Sequence, residues 1–433
     1  MHAALVARPG PCIRRLGGKR AAEMQFRRLL HNRSVTAAEM SQHAGQRTGE
    51  RVAGRHVVAV QDTSELALGS RQARPGYGPV CEGRAAGLLL HPVLAVEVGT
   101  GALLGLVSMQ VWNRNSDELA PRRKRATADK ESQRWIDGAK QAGTVLAEAA
   151  SITMISDRES DFYELFVERP QNVDLIVRAC QNRRIEALQD EPGLLFAFID
   201  IQPEQSRFRT TIPAAPGRSA REAELALRFA AVALRRPLNG ANPVLPETVG
   251  VTLVDVREVS QPKDGSEPVH WRLLTTHAIA TTLDARRIVD LYRSRWNIEE
   301  FFRTLKTAGF DIESADIGDP HAMINFVAAA AIAAVTIRQL VQARDGNTDQ
   351  RLSDAFDPDD RPVLEAICTR LEGKTERQKN PHPKGSLAFA AWVIARLGGW
   401  TGYYGKPGPK VMRIGLAEFH AIKYGTTLNV HDV

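Results

Sequence analysis

Two apolar, β-branched runs, VVAVQ at residues 57–61 and ITMIS at residues 152–156, each stop at an aspartate, Asp62 and Asp157. Runs of this length, bounded by polar residues, read as buried strands. A carboxylate at such a place is poor for burial and well sited at a sheet edge for chemistry. After the first run come LLLHPVLAVEV and GALLGLVSMQVW, joined by Gly-Thr-Gly, and the three read as an antiparallel meander. KESQRWIDGAKQAGTVLAEAA is helical in pattern, a second helix starts just after Asp157, and VDLIVRAC is a further strand.

Three strands, a helix, a strand, a helix and a strand is the order of an RNase H-like core, an α/β fold with a mixed sheet. Residues 1–50 read as a short helical region, 51–180 as the first part of this core, and 181–275 as a β-rich insertion. Residues 276–320 return to the core and 321–433 form a mostly helical C-terminal region. Hydrophobic residues at 43% and charged residues at 25% suit an ordinary globular chain. The net charge of +7 leans toward a polyanionic partner. Cys12, Cys81, Cys180 and Cys368 lie far apart, with no C-x-x-C, so neither a disulfide framework nor a zinc site is expected, and a reducing cytosol fits. FVAAAAIAAVTI at 326–337 is too short a run to span a bilayer and reads as a buried helix, and the basic N-terminus does not read as a signal peptide.

YRSRWNIEEFFRTLK at 292–306 has no Gly or Pro and reads as one helix. At the helical period, Leu291, Ile298, Phe301, Phe302 and Leu305 form an apolar arc. Tyr292, Arg295, Glu299, Arg303 and Lys306 form a narrower stripe beside it, and Glu300 points elsewhere. The stripe has two readings. One is a solvated face with ion pairs such as Glu299 to Arg303. The other is a carboxylate held where phosphate passes, with cations gripping a nucleic-acid backbone.

Taken singly, Asp62 and Asp157 read as turn or cap residues. In an RNase H-like order the first and fourth strands are neighbours, so the two carboxylates would meet, and Glu299 would complete the set. Three oxygen donors suit hard divalent cations. Two such ions ~4 Å apart can activate a nucleophile and stabilise a leaving oxygen.

Tyr292, Arg295, Glu299 and Lys306 match, position by position, the Y-x2-R-x3-E-x6-K signature of the DDE transposases of bacterial insertion sequences, in insertion-sequence family four. QDTSEL resembles that family's first acid motif, SDRESD its second, and IARLGGWTGYYGKPG a motif near its C-terminus. The resemblance covers roughly residues 14 to 425. It implies catalytic acids at Asp62, Asp157 and Glu299, and two Mg²⁺ or Mn²⁺ ions per site. It also implies cleavage at transposon ends and joining to target DNA. Related members pass through a hairpin with a flipped base against an aromatic residue; Trp271 matches that place, and an ordinary core aromatic is the other reading. Arg178 matches a DNA-contacting position; PRRKR at 121–125 reads as a solvated loop or a DNA contact. Tyr292, Arg295, Arg303 and Lys306 are expected on DNA.

The resemblance implies a homodimer in a paired-end complex, and NFVAAAAIAAVTI at 325–337 and the closing helical region around IARLGG offer candidate surfaces, with internal packing as the other reading of the former. A cytoplasmic, nucleoid-associated protein without membrane contact is implied. Only 61 residues precede Asp62, fewer than the resemblance implies for an end-binding region. The alternative expectation is therefore a shortened, non-transposing relative that dimerises with a full-length transposase and inhibits it. A stand-alone nuclease is disfavoured by the signature.

Overall fold

The computed structural model describes residues 13–17, 20–70, 75–114, 131–186, 193–212, 220–238, 244–262 and 265–428. PRRKR lies outside the described residues. The helices are α1 (Ile13–Gly17), α2 (Arg20–His31), α3 (Ala37–Gly49), α4 (Gln133–Val145), α5 (Tyr163–Glu168), α6 (Leu195–Ile201), α7 (Thr282–Arg293), α8 (Trp296–Arg303), α9 (Pro320–Ala343), α10 (Asp360–Leu371), α11 (Leu387–Leu397) and α12 (Pro409–Leu428). The core strands are β1 (His56–Gln61), β2 (Ser64–Gly69), β3 (Gly78–Val80), β4 (Ala85–Glu97), β5 (Leu103–Trp112), β6 (Ser151–Ser156) and β7 (Val173–Arg178). The insertion adds β8 (Ile185–Glu186), β9 (Ser206–Ile212), β10 (Arg221–Arg235), β11 (Thr248–Glu258) and β12 (His270–Thr275).

The core sheet runs β5-β4-β1-β6-β7, antiparallel from β5 to β1 and parallel from β1 to β7. This is a mixed α/β, RNase H-like fold with a helical C-terminal region. β1 is buried on both faces: Val57 and Ala59 pack under α4, while Val58 and Val60 join the larger core under α7 to α12. An unbroken apolar run is what a doubly covered parallel strand requires.

β1 and β2 both pair with β4 on one unbroken register, Gln61 opposite Val93 and Ser64 opposite Leu90. The gap between them holds Asp62 and Thr63, facing Pro92 and His91. Proline has no N–H to offer the ladder. The strand that the sequence reads as ending at Asp62 is therefore interrupted there and resumes.

The insertion strands continue the core sheet. β12 pairs with β7, Leu273 opposite Arg178, and β11, β10 and β9 follow in antiparallel order. α3 is docked on the core as well: Thr48 Oγ1 donates to the Leu106 carbonyl at 2.7 Å, and Ser41 Oγ accepts from the Met109 N–H at 2.8 Å.

α9 is the central helix of the second layer. It begins with Asp319 as N-cap and Pro320 in the first turn. At 24 residues it is longer than the apolar run suggested, and it is long and apolar enough to cross a membrane, yet it is buried along most of its length. Ala328 to Ala331, Ala333 and Ala334 are all buried within the chain. α11 is buried from Leu387 to Ala395. The small residues of both segments serve internal packing. Where α11 crosses α12, a Cβ added at Gly415 would come within 1.7 Å of the Ile394 carbonyl oxygen, so only glycine permits the crossing.

Candidate active site

Val60 of β1 pairs with Ile155 of β6, and two residues further along both strands stand Asp62 and Asp157. By strand alternation, both acids point to the face that carries Val58, Val60 and Ile155, toward α8. Local chemistry fixes each turn: Asp62 Oδ1 accepts from the Thr63 N–H at 2.7 Å, and Asp157 caps a short 3₁₀ turn through the Arg158 N–H at 2.6 Å. The cap reading of Asp157 thus holds alongside its place at the strand end.

The stretch expected as one helix is two. α7 ends at Arg293, and the chain tightens through i→i−3 bonds at Ser294 and Arg295 before α8 and at Asn297 and Ile298 in its first turn. α8 then widens into a π turn, Thr304–Ala308. Tightening and widening rotate the side chains away from an ideal wheel. The stripe is accordingly divided. Arg295 and Glu299 stay together, with Arg295 Nη2 donating to Glu299 Oε1 at 2.9 Å. Arg303 turns to Glu300 at 2.6 Å, so the Glu299–Arg303 pair does not form. Glu300 also accepts from Arg338 of α9 at 3.1 Å, and so points elsewhere, as expected. Lys306 donates to the Glu65 carbonyl at 2.6 Å and pairs with Glu313 at 3.3 Å, which ties the end of α8 to β2.

Arg295 is the centre of the site. Its Nη1 donates to Asp62 Oδ2 at 2.9 Å and lies 3.9 Å from Asp157 Oδ2, while Nη2 holds Glu299. Three carboxylates from strand, strand and helix therefore converge on one cation. Asp62 is the most enclosed, its side chain 17% exposed. Burial pushes its carboxyl up to about 6, against the pull of Arg295 and of the Thr63 N–H, and Asp157 and Glu299 add to the rise. Among the described residues, no group of three or more His, Cys, Asp or Glu is arranged as a ready metal cluster. In this structure the three acids gather around Arg295. The donor chemistry still suits a hard divalent cation: an excess of carboxylate oxygens already gathered about a positive centre.

Beside the acids lies an open cleft of about 1510 Å³ whose walls include Arg158, Arg178, Trp271, Arg287, Tyr292 and Arg295. Tyr292 is buried, with its ring centroid 5.7 Å from that of half-buried Trp271. Burial raises the Tyr292 phenol to about 12; Arg295 and Arg178 lower it and Asp157 raises it further. Pairing of β12 with β7 brings Trp271 close to Arg178. Arg303 and Lys306 are not on this wall.

Several participants were not singled out from sequence. Of the acids in SDRESD, only Asp157 faces Arg295. Glu159 accepts from Arg134 at 2.9 Å. Asp161, its side chain fully buried, accepts from the Cys180 and Gln181 N–H groups and pairs with Arg183, which fixes the chain just after Arg178. His91 is buried behind Asp62; burial and the Arg134 charge push it well below the ordinary imidazole value, against a hydrogen bond to the Asp62 backbone. The lone polar residue of LLLHPVL was the available signal.

An RNase H-like sheet thus carries two aspartates at adjacent strand ends, with a glutamate from a later helix on the same arginine. The family model described as Transposase DDE domain matches residues 113–336, just over half of the 433-residue chain. The chain belongs to the DDE transposase domain family. The match takes in Asp157, Arg295 and Glu299 and starts after Asp62.

Proposed function

We propose that the protein cuts DNA at the ends of an insertion sequence of the Y-R-E-K group and joins the freed end to target DNA. The observation that carries this reading is the convergence of Asp62, Asp157 and Glu299 on Arg295 beside a cationic cleft. Asp62, Asp157 and Glu299 are the residues that would hold Mg²⁺ or Mn²⁺, two ions on the family pattern. When bound, such ions polarise the phosphodiester and activate the attacking oxygen.

The chain's own residues do the rest. Arg295 offsets the mutual repulsion of three carboxylates and keeps them gathered. Arg178 and Arg295 on the cleft wall attract the phosphate backbone, and the Tyr292 phenol, held protonated, donates to phosphate oxygen. Trp271 offers a ring face on which an unpaired base can stack. Arg303, exposed at the end of α8, meets DNA only outside the cleft. Lys306 holds α8 to β2 and so orients Glu299. The family pattern also supports action on nucleoid DNA as a homodimer that pairs two ends, through surfaces other than α9 and α11.

The test is cleavage of a duplex carrying the element's own end, with Mg²⁺ or Mn²⁺. Asp62→Asn, Asp157→Asn and Glu299→Gln should each lower cleavage at least 1000-fold, on the order of a lost catalytic group, with DNA binding retained. Cleavage near the wild-type rate in any one of them removes that residue from the site.

A further inference from the structure

Parallel pairing of β1 with β6 ends at Val60 and Ile155. Asp62 and Asp157 stand beyond it, where no backbone ladder bond sets their separation. Arg295 joins the carboxylates themselves, and a second side chain crosses the gap from the other face of the sheet. Arg134 of α4 donates from Nε to Thr63 Oγ1 at 2.8 Å and from Nη2 to Glu159 Oε2 at 2.9 Å. A third bond, Nη1 to the Glu131 carbonyl at 2.5 Å, fixes the guanidinium at its root. The group is only 10% exposed and lies 5.6 Å and 5.4 Å from the ring centroids of Trp112 and Trp135. A planar fork held in this way joins the residue after Asp62 to a residue two past Asp157.

His91 completes the support. Its Nδ1 lies 2.9 Å from Thr63 Oγ1 and its Nε2 lies 3.2 Å from Gln61 Oε1. Arg134 already donates to the Thr63 oxygen, so the Thr63 hydroxyl is free to donate to Nδ1. The ring proton then sits on Nε2 and is given to Gln61, whose Nε2 donates onward to the Trp135 carbonyl at 3.3 Å. Both neighbours of Asp62 are thus gripped from the face opposite its carboxylate, and every member of the chain has a partner.

We propose that Arg134 is a positioning residue that sets the distance between the Asp62 and Asp157 carboxylates, with His91 as its backstop through Thr63. The proposal rests on the reading of these two acids as metal ligands. Charge and geometry make opposite predictions. Arg134 is a cation near Asp62. Removing it would tighten cation binding if only charge mattered. If Arg134 sets the carboxylate spacing, its loss weakens binding, by the roughly 10- to 100-fold typical of groups that orient metal ligands.

The experiment is Mn²⁺ titration of the full chain followed by electron paramagnetic resonance, with thermal unfolding and affinity for duplex DNA measured alongside. Arg134→Met is expected to weaken Mn²⁺ binding about tenfold with DNA affinity unchanged. Arg134→Lys, a single point donor, should recover only part of the loss. Thr63→Val cuts the strut at its other end without touching the charge and should reproduce the Arg134→Met effect; it decides the matter if Arg134→Met does not fold. Unchanged or tighter Mn²⁺ binding in Thr63→Val, or in folded Arg134→Met, overturns the inference. Asp62→Asn is the control: if it too leaves Mn²⁺ binding unchanged, the reading of the acids as ligands falls. If it weakens binding while the strut variants do not, only the role of Arg134 falls.

Discussion

The raised carboxyl of Asp62 makes a quantitative prediction about stability in the absence of metal. Burial lifts this group from its ordinary 3.8 to about 6. Between those values the folded chain holds a proton that the unfolded chain has lost. Stability therefore falls as pH rises through the window from about 4 to 6 and stays lower above it. A shift of this size corresponds to about 3 kcal/mol at pH 8. Asp62→Asn removes the ionisation and leaves an oxygen to accept from Arg295. In the presence of a chelator the variant should be about 3 kcal/mol more stable than the wild type at pH 8, and close to it at pH 4. Urea unfolding followed by circular dichroism at a series of pH values measures the difference. An equal or lower stability of Asp62→Asn at pH 8, or a difference that does not shrink toward pH 4, would refute the argument from burial. It would mean that Arg295 compensates Asp62 fully. In the wild type, added Mn²⁺ should recover the stability lost at high pH, because it binds the folded state alone.

The two neighbouring glutamates of α8 should behave differently. Glu300→Ala strands Arg338, only 9% exposed, and should cost about 3 kcal/mol in urea unfolding, whereas Glu299→Gln, at a side chain 41% exposed, should stay within about 0.5 kcal/mol. Gly415→Ala forces α11 from α12 against the Ile394 carbonyl and should lower stability by about 2 kcal/mol, read as a fall in melting temperature. Asp161→Ala leaves the Cys180 and Gln181 N–H groups and Arg183 unpaired in a buried place; a loss of about 3 kcal/mol is expected, and an unchanged melting temperature would show that the turn after β7 is held by other bonds.

Local patterns made much of this molecule legible before its fold was known. Apolar β-branched runs gave β1, β4, β5, β6 and β7, and their order was enough to place Asp62 and Asp157 on adjacent strands. The period of 3.6 residues found the apolar arc of α8 and the turn after it, whose Ile298, Phe301, Phe302 and Leu305 are all buried. These features depend on neighbours along the chain, and a sequence carries that information directly. Other features depend on what approaches from far along the chain. The extended register of β4 leaves Pro92 opposite Asp62 and splits one strand into two. A tightened turn keeps Arg295 with the acids, while the attraction of Glu300, itself drawn to Arg338, takes Arg303 away. The alanines of α9 could have served a partner as well as the interior, and only the enclosure of that helix by its own chain decides for the interior. Arg134 and His91 lie 71 and 28 residues from Thr63, the group they share. No periodicity links residues so far apart. Their meeting is a property of the sheet and the helix packed on it, and appears only once the chain is folded.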